Sequence, residues 1–242
     1  MKPYITVILG LIAHLSYSQA NNSNLKVKYT ETIHFEIPEH LKSRGFDIPE
    51  SGENNKILFV ENGESNYVIN KEDKEEEVDD LDGNRYKRRW AKRMAGSSMI
   101  YQNQSEKVQL EERDLFGKEF VIKEELHDYV WKVIATEQRD ILGYTCMKAE
   151  YRDSSMLVTA WFTPQIPLSF GPRGFGGLPG LILALSEGEN VIILATDVKQ
   201  DIEEVSINRP SDRKTISREE YLAIRKEKEE ERRAMWGSRR RG

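Results

Sequence analysis

The chain has 242 residues, room for one ordinary domain with appendages, and 38% of them are hydrophobic, enough to fill a core. Charged residues make up 32%, and the net charge of −5 argues against bulk nucleic-acid binding, which brings a basic excess. Cys146 is the single cysteine, which excludes an internal disulfide, Cys-x-x-Cys redox motifs and zinc sites built on two or more cysteines.

Met1 and Lys2 give a short positive start, Ile5 to Leu15 form an apolar run, and Ser16-Tyr17-Ser18 places small residues at the −3 and −1 positions. This is the layout of a signal peptide over 1–18, cleaved before Gln19. The expectation is an exported protein, periplasmic, outer-membrane associated or secreted. No other stretch reaches the ~18 apolar residues a span needs, so no transmembrane anchor is expected.

Leu25 to Ile37 alternates with period two, placing Val27, Tyr29, Glu31, Ile33, Phe35 and Ile37 on one face, the pattern of a half-buried strand. His34 falls on the opposite, polar face and reads as solvated. Lys56–Val60 and Ser65–Ile69 flank Asn62-Gly63, a hairpin signal. Residues 71–93 pass from an acidic block to a basic one and read as a charged, self-neutralising insertion. Asp80-Leu81-Asp82-Gly83 fails as a calcium loop, because its twelfth position is Arg89.

Further strands are expected at Ser98–Gln102, Lys107–Leu110, Lys118–Glu124 and Asp128–Ile134. After a polar turn at Glu137–Asp140 come strands over Ile141–Tyr151 and Met156–Thr163, the latter apolar on both faces and so expected to be central. Leu181–Leu185 then pairs with Val191–Ala195. Short connections between many strands point to a mainly β fold, an antiparallel meander forming a curved sheet or partial barrel. The expected organisation is a single β-rich domain over 19–210, followed by a charged helix and basic tail over 211–242. Ser217 with Glu220 forms a capping box, and Ile216 with Tyr221 a hydrophobic staple. Arg225 to Arg233 is charged throughout and is expected to project into solvent, braced by pairs such as Glu229 with Arg233.

Between the Met156 and Leu181 strands lies Gly171-Pro172-Arg173-Gly174-Phe175-Gly176-Gly177-Leu178-Pro179-Gly180, too rich in glycine and proline for a helix or strand. It fits no nucleotide fingerprint: the third glycine of Gly-x-Gly-x-x-Gly would fall on Pro179, and no Gly-Lys-Ser/Thr follows. Pro179-Gly180 reads as a type II turn with φ > 0 at Gly180. No nucleophile elbow or histidine-centred triad is present. Trp131, Trp161 and Phe175 fit either a ligand groove or ordinary core. Cys146 beside Met147 leaves open a Cu(I) site, against the plain reading of a buried thiol.

Gly177-Leu178-Pro179-Gly180-Leu181-Ile182 spells the hexapeptide that names the GLPGLI family of Bacteroidota envelope proteins, which the chain resembles over roughly 128–195. Trp131-Lys132-Val133, Ile141 to Ala149, Ala160-Trp161-Phe162-Thr163 and Ile166-Pro167 extend the resemblance. It implies an exported protein whose activity is not known, with members that often accompany TonB-dependent outer-membrane transporters. It implies no catalytic residue and no cofactor.

The functional expectation is a non-enzymatic binding module for a partner protein, such as an outer-membrane transporter, or for an apolar ligand. Its candidate contact residues are Gly171, Pro172, Phe175, Gly177, Leu178, Pro179, Gly180, Leu181, Ile182, Trp131 and Trp161. The alternatives are an envelope hydrolase working through carboxylates and a Cu(I) protein through Cys146 and Met147.

Overall fold

A computed structural model describes residues 24–37, 39, 43, 50–70, 98–154, 156–203, 205, 207–210 and 214–239. The expected signal peptide and the 71–93 insertion lie outside the described residues. Twelve strands form one sheet: β1 (Leu25–His34), β2 (Ser51–Glu61), β3 (Glu64–Ile69), β4 (Met99–Asn103), β5 (Val108–Leu115), β6 (Lys118–Glu125), β7 (Lys132–Ile141), β8 (Tyr144–Arg152), β9 (Leu157–Thr163), β10 (Leu181–Glu187), β11 (Val191–Gln200) and β12 (Thr215–Ile216). The helix α1 (Arg218–Arg239) follows.

The strand order is β12-β6-β5-β4-β3-β2-β1-β11-β10-β9-β8-β7. Two antiparallel meanders, β1–β6 and β7–β11, are thus joined by a single pairing of β1 with β11, in which Tyr29 faces Ala195. Only the two-residue β12 runs parallel, beside β6. The expected mainly β meander is therefore present as an open mixed sheet.

Its curvature follows from one short connection. Seven residue steps separate Glu125, the end of β6, from Lys132, the start of β7. At ~3.5 Å per step they reach about 25 Å. Yet ten neighbour steps separate these strands in the sheet, which laid flat at ~4.8 Å each would span about 48 Å. The sheet must curl until its two ends approach, and residues 126–131 cross the gap.

The Asn62-Gly63 hairpin forms as expected, with φ of 50° and 79°, the pair of left-handed residues a two-residue turn requires. Three expectations shift. Residues 128–131 lie outside any strand, and Glu137–Asp140 is not a turn but part of β7, whose register slips between Ile134 and Gln138. As an edge strand exposed along most of its length, β7 carries the polar composition edges favour, which imitates a turn. The turn itself is Leu142-Gly143. The strand buried at every one of its first five positions is β10; β9, expected to be covered on both faces, alternates instead.

Inside the curl, Leu25, Val27 and Tyr29 of β1 meet Leu58, Val60, Phe162, Ile182 and Leu185 in one core. A smaller cluster of Leu115, Phe120, Ile122, Ile216 and Tyr221 docks α1 on β5 and β6. The staple residues thus sit together, and the capping box is closed: Ser217 N–H donates to Glu220 Oε2 at 3.0 Å and Glu220 N–H to Ser217 Oγ at 3.1 Å. Along the charged part of α1 the pairs are Arg225–Glu229 and Lys228–Glu231. Arg232 lies over the Phe116 ring at 5.5 Å, so this part does not simply project into solvent as expected.

Candidate functional site

The inward row of β1 runs Leu25, Val27, Tyr29, Glu31, Ile33, all buried. Glu31 interrupts it and marks where the apolar core gives way to a cavity of ≈ 640 Å³. Around it stand Lys56 of β2, Tyr67 of β3, Glu111 and Arg113 of β5, Arg173 of the glycine loop and Glu187 of β10, while His127, Tyr129, Tyr151 and Phe175 supply an aromatic side.

Glu31 is 1% exposed. Its Oε1 accepts from Tyr67 Oη at 2.9 Å and from Arg173 Nε at 3.0 Å. Its Oε2 is buried with no hydrogen-bond partner among the described residues. A buried carboxylate oxygen left without a donor is costly, and it marks a place where a donor is wanted. Arg173 Nη1 donates to Glu187 Oε1 at 3.2 Å, so one guanidinium clasps two carboxylates. Lys56 is 2% exposed beside them. Burial holds its ammonium below the ordinary amine range, Glu31 pulls the other way, and Arg173 and Arg113 add to the lowering. Burial and the Glu31 carboxylate keep the Tyr67 hydroxyl protonated, well above its usual range.

The glycine loop places Arg173 between Glu31 and Glu187. Arg173 has φ 55° and ψ 22°, the left-handed region that a side-chain-bearing residue occupies only at a cost. The next residue, Gly174, continues at φ 80° and its carbonyl accepts from Gln102 Nε2 of β4 at 2.6 Å. Since β4 lies five strands from β10, the loop reaches across the inside of the curl. Phe170 bridges to Gly176, Ile182 N–H donates to Phe170 O at 3.0 Å, and Leu181 N–H to Ile166 O at 3.0 Å.

The expected type II turn at Pro179-Gly180 is absent, because Gly180 has no positive φ. Glycine is needed there for a different reason: a Cβ would stand 2.1 Å from Thr163 O. Among the other expected contact residues, Leu178, Leu181 and Ile182 are buried core, and Gly171 lies hard against Ile182. Pro172 opens the turn that carries Arg173. Gly177 lines a smaller recess of ≈ 310 Å³. Of the eleven, only Phe175 lines the main cavity.

Trp131 donates its indole N–H to Gly176 O at 2.8 Å and anchors the crossing segment on the loop. Tyr129, two residues earlier, lies tilted against Phe175 at 4.9 Å and meets Tyr151 edge-on at 5.1 Å. Trp161 lies elsewhere, under the Arg139 guanidinium at 4.3 Å.

At the far side, α1 contributes Arg218, which pairs with Glu111 at 2.5 Å and with Glu124. Burial pushes the Glu111 carboxyl up, but Arg113 and Arg218 outweigh it and hold it below the ordinary range. Cys146 is fully buried, and burial raises its thiol to about 11. Neighbouring strand residues point to opposite faces, so Cys146 and Met147 cannot share one ion. No group of three or more His, Cys, Asp or Glu able to hold a metal occurs among the described residues. Among the same residues no helix is long and apolar enough to cross a membrane.

Residues 150–184 match a family model described as a protein of unknown function (Porph_ging). The matched segment holds the end of β8, all of β9, the glycine loop with Arg173 and the start of β10. No curated protein matches the chain. Among solved structures the chain is similar to PNGF-II in its P21 crystal form, at 15% identity and a TM-score of 0.54 over 84% of this chain and 33% of that one. The C2 form gives 14% identity and a TM-score of 0.53, covering 84% and 32%. At that identity the likeness is one of fold, and this chain spans about a third of PNGF-II's length.

Proposed function

We propose that the protein is an exported, non-catalytic binding module whose concave cavity takes a small polar ligand and which serves a partner in the cell envelope, such as an outer-membrane transporter. The observation that carries the reading is Glu31 Oε2, a buried acceptor without a donor on a residue that lines a cavity of ≈ 640 Å³. That volume falls in the ~300–1,000 Å³ range of small-molecule sites. The charged floor favours a polar ligand over the apolar one the sequence suggested, because a greasy group laid on it leaves Glu31 Oε2 still without a donor.

Export is supported by the layout of residues 1–18, and the partner by the resemblance of the loop region. Hydrolysis through carboxylates is less well supported. A general acid needs a carboxyl free to give a proton, whereas Glu31 and Glu187, which lie together, both accept from Arg173. Protein recovered from envelope extract and examined by native mass spectrometry should carry a small-molecule adduct that Arg173→Ala loses. Wild-type protein without an adduct, or one indifferent to this substitution, counts against the reading.

A further inference from the structure

The cavity's own chemistry narrows the ligand, given the binding reading above. The floor combines Glu31 and Glu187 with Arg173 and Lys56, so its formal charges cancel. A cation reaching Glu31 Oε2 comes to rest beside the Arg173 guanidinium and the Lys56 ammonium, which repel it. An anion meets the unpartnered carboxylate oxygen itself, in a lining where six carboxylates outnumber four basic side chains. A neutral group meets neither objection.

That group must donate to Glu31 Oε2, which only accepts. Beside it stands the Arg173 guanidinium, which only donates, so an atom lodged between them is best served by accepting as well. A hydroxyl does both at once; an ammonium cannot accept and a carboxylate cannot donate. Part of the lining is aromatic: Tyr129 stands 5.1 Å from Tyr151 and 4.9 Å from Phe175, ring to ring. A molecule with hydroxyls on its edge and C–H groups on its face matches a polar floor beside an aromatic wall.

We infer that the cavity binds a neutral hydroxylated ligand, specifically the end of a saccharide chain, with Glu31 and Arg173 on its hydroxyls and Tyr129, Tyr151 and Phe175 against a ring face. Isothermal titration of the purified protein with a panel of neutral trisaccharides (maltotriose, cellotriose, xylotriose and mannotriose) tests this, with cadaverine as the cationic control and glutarate as the anionic one. At least one trisaccharide should bind saturably and lose tenfold or more in affinity in Glu31→Gln. Tyr151→Ala, at the rim and away from the buried floor, should weaken the same sugar by a similar factor while its melting curve shows a folded protein.

Silence across the saccharide panel overturns the inference, as does saccharide binding that neither substitution changes. Glu31-dependent binding of cadaverine or glutarate also overturns it, yet leaves the cavity as a ligand site. Loss of the cavity reading itself would show instead as the absent adduct in the envelope-extract experiment.

Discussion

Arg173 can be removed in two ways that separate its charge from its backbone. Arg173→Ala leaves Glu31, 1% exposed, with only Tyr67 Oη on a carboxylate that had an ion pair at 3.0 Å. Breaking a buried pair from one side costs about 3–5 kcal/mol. Lys56 stands close enough to act on Glu31, which places the expected loss near the lower end, at about 3 kcal/mol. Arg173→Gly loses the same pairs but relieves a left-handed φ of 55°, worth about 1 kcal/mol relative to alanine.

The order of stability should therefore be wild type, then glycine, then alanine. For a domain of this size each kcal/mol moves the midpoint by roughly 2–4 °C, so alanine should melt about 6–12 °C below wild type and glycine a few degrees above alanine. Urea unfolding followed by circular dichroism, with an unchanged slope, measures both gaps. Alanine within about 0.5 kcal/mol of wild type would refute the buried-pair argument. Alanine equal to or above glycine would refute the strained backbone.

The glycine loop gives a second contrast. Gly180→Ala drives a methyl to 2.1 Å from Thr163 O and should cost 3 kcal/mol or more, on the order of severe overpacking, or prevent folding. Gly63→Ala, at φ 79° with nothing within 4 Å of its Cβ position, should cost only about 1–2 kcal/mol; equal melting points for the two would contradict the close approach. Acid supplies the third. The Glu111 carboxyl is depressed in the folded state, so its contribution is present above the unfolded carboxylate value of about 4.3 and is lost as pH falls through the folded value. Wild type should lose stability below about pH 4, and Arg218→Ala should flatten that fall; parallel pH profiles would break the assignment.

Much of the architecture was readable because alternation and turn chemistry agree along the chain. Val27, Tyr29 and Ile33 announced their face, Asn62-Gly63 its hairpin, and Ser217 with Glu220 the start of α1. The β7 edge was not readable, since an exposed strand has no apolar row to show. The site was legible in one respect that composition obscures. Glu31 is a lone carboxylate in an otherwise apolar row, and Arg173 is the one charged residue in the glycine loop; each is the odd member of its pattern. Their meeting depends on how far the sheet curls and how the loop reaches β4, distances that no local pattern encodes. Gly180 shows the same limit, as the need for glycine was visible but the clash with Thr163 O was not.

The seam between β1 and β11 also has a kinetic meaning. Every other antiparallel pairing joins strands consecutive in the chain, so each meander can form from local contacts. The β1–β11 zipper alone must join residues 158 to 175 positions apart, from Ile33 with Val191 to Leu25 with Gln200, and loop-closure entropy makes such contacts late and slow. A chain made from its N-terminus delivers β1 first and β11 almost last. Throughout that interval β1, which carries Glu31, waits with one edge unpaired, and the cavity can come into being only when the seam closes.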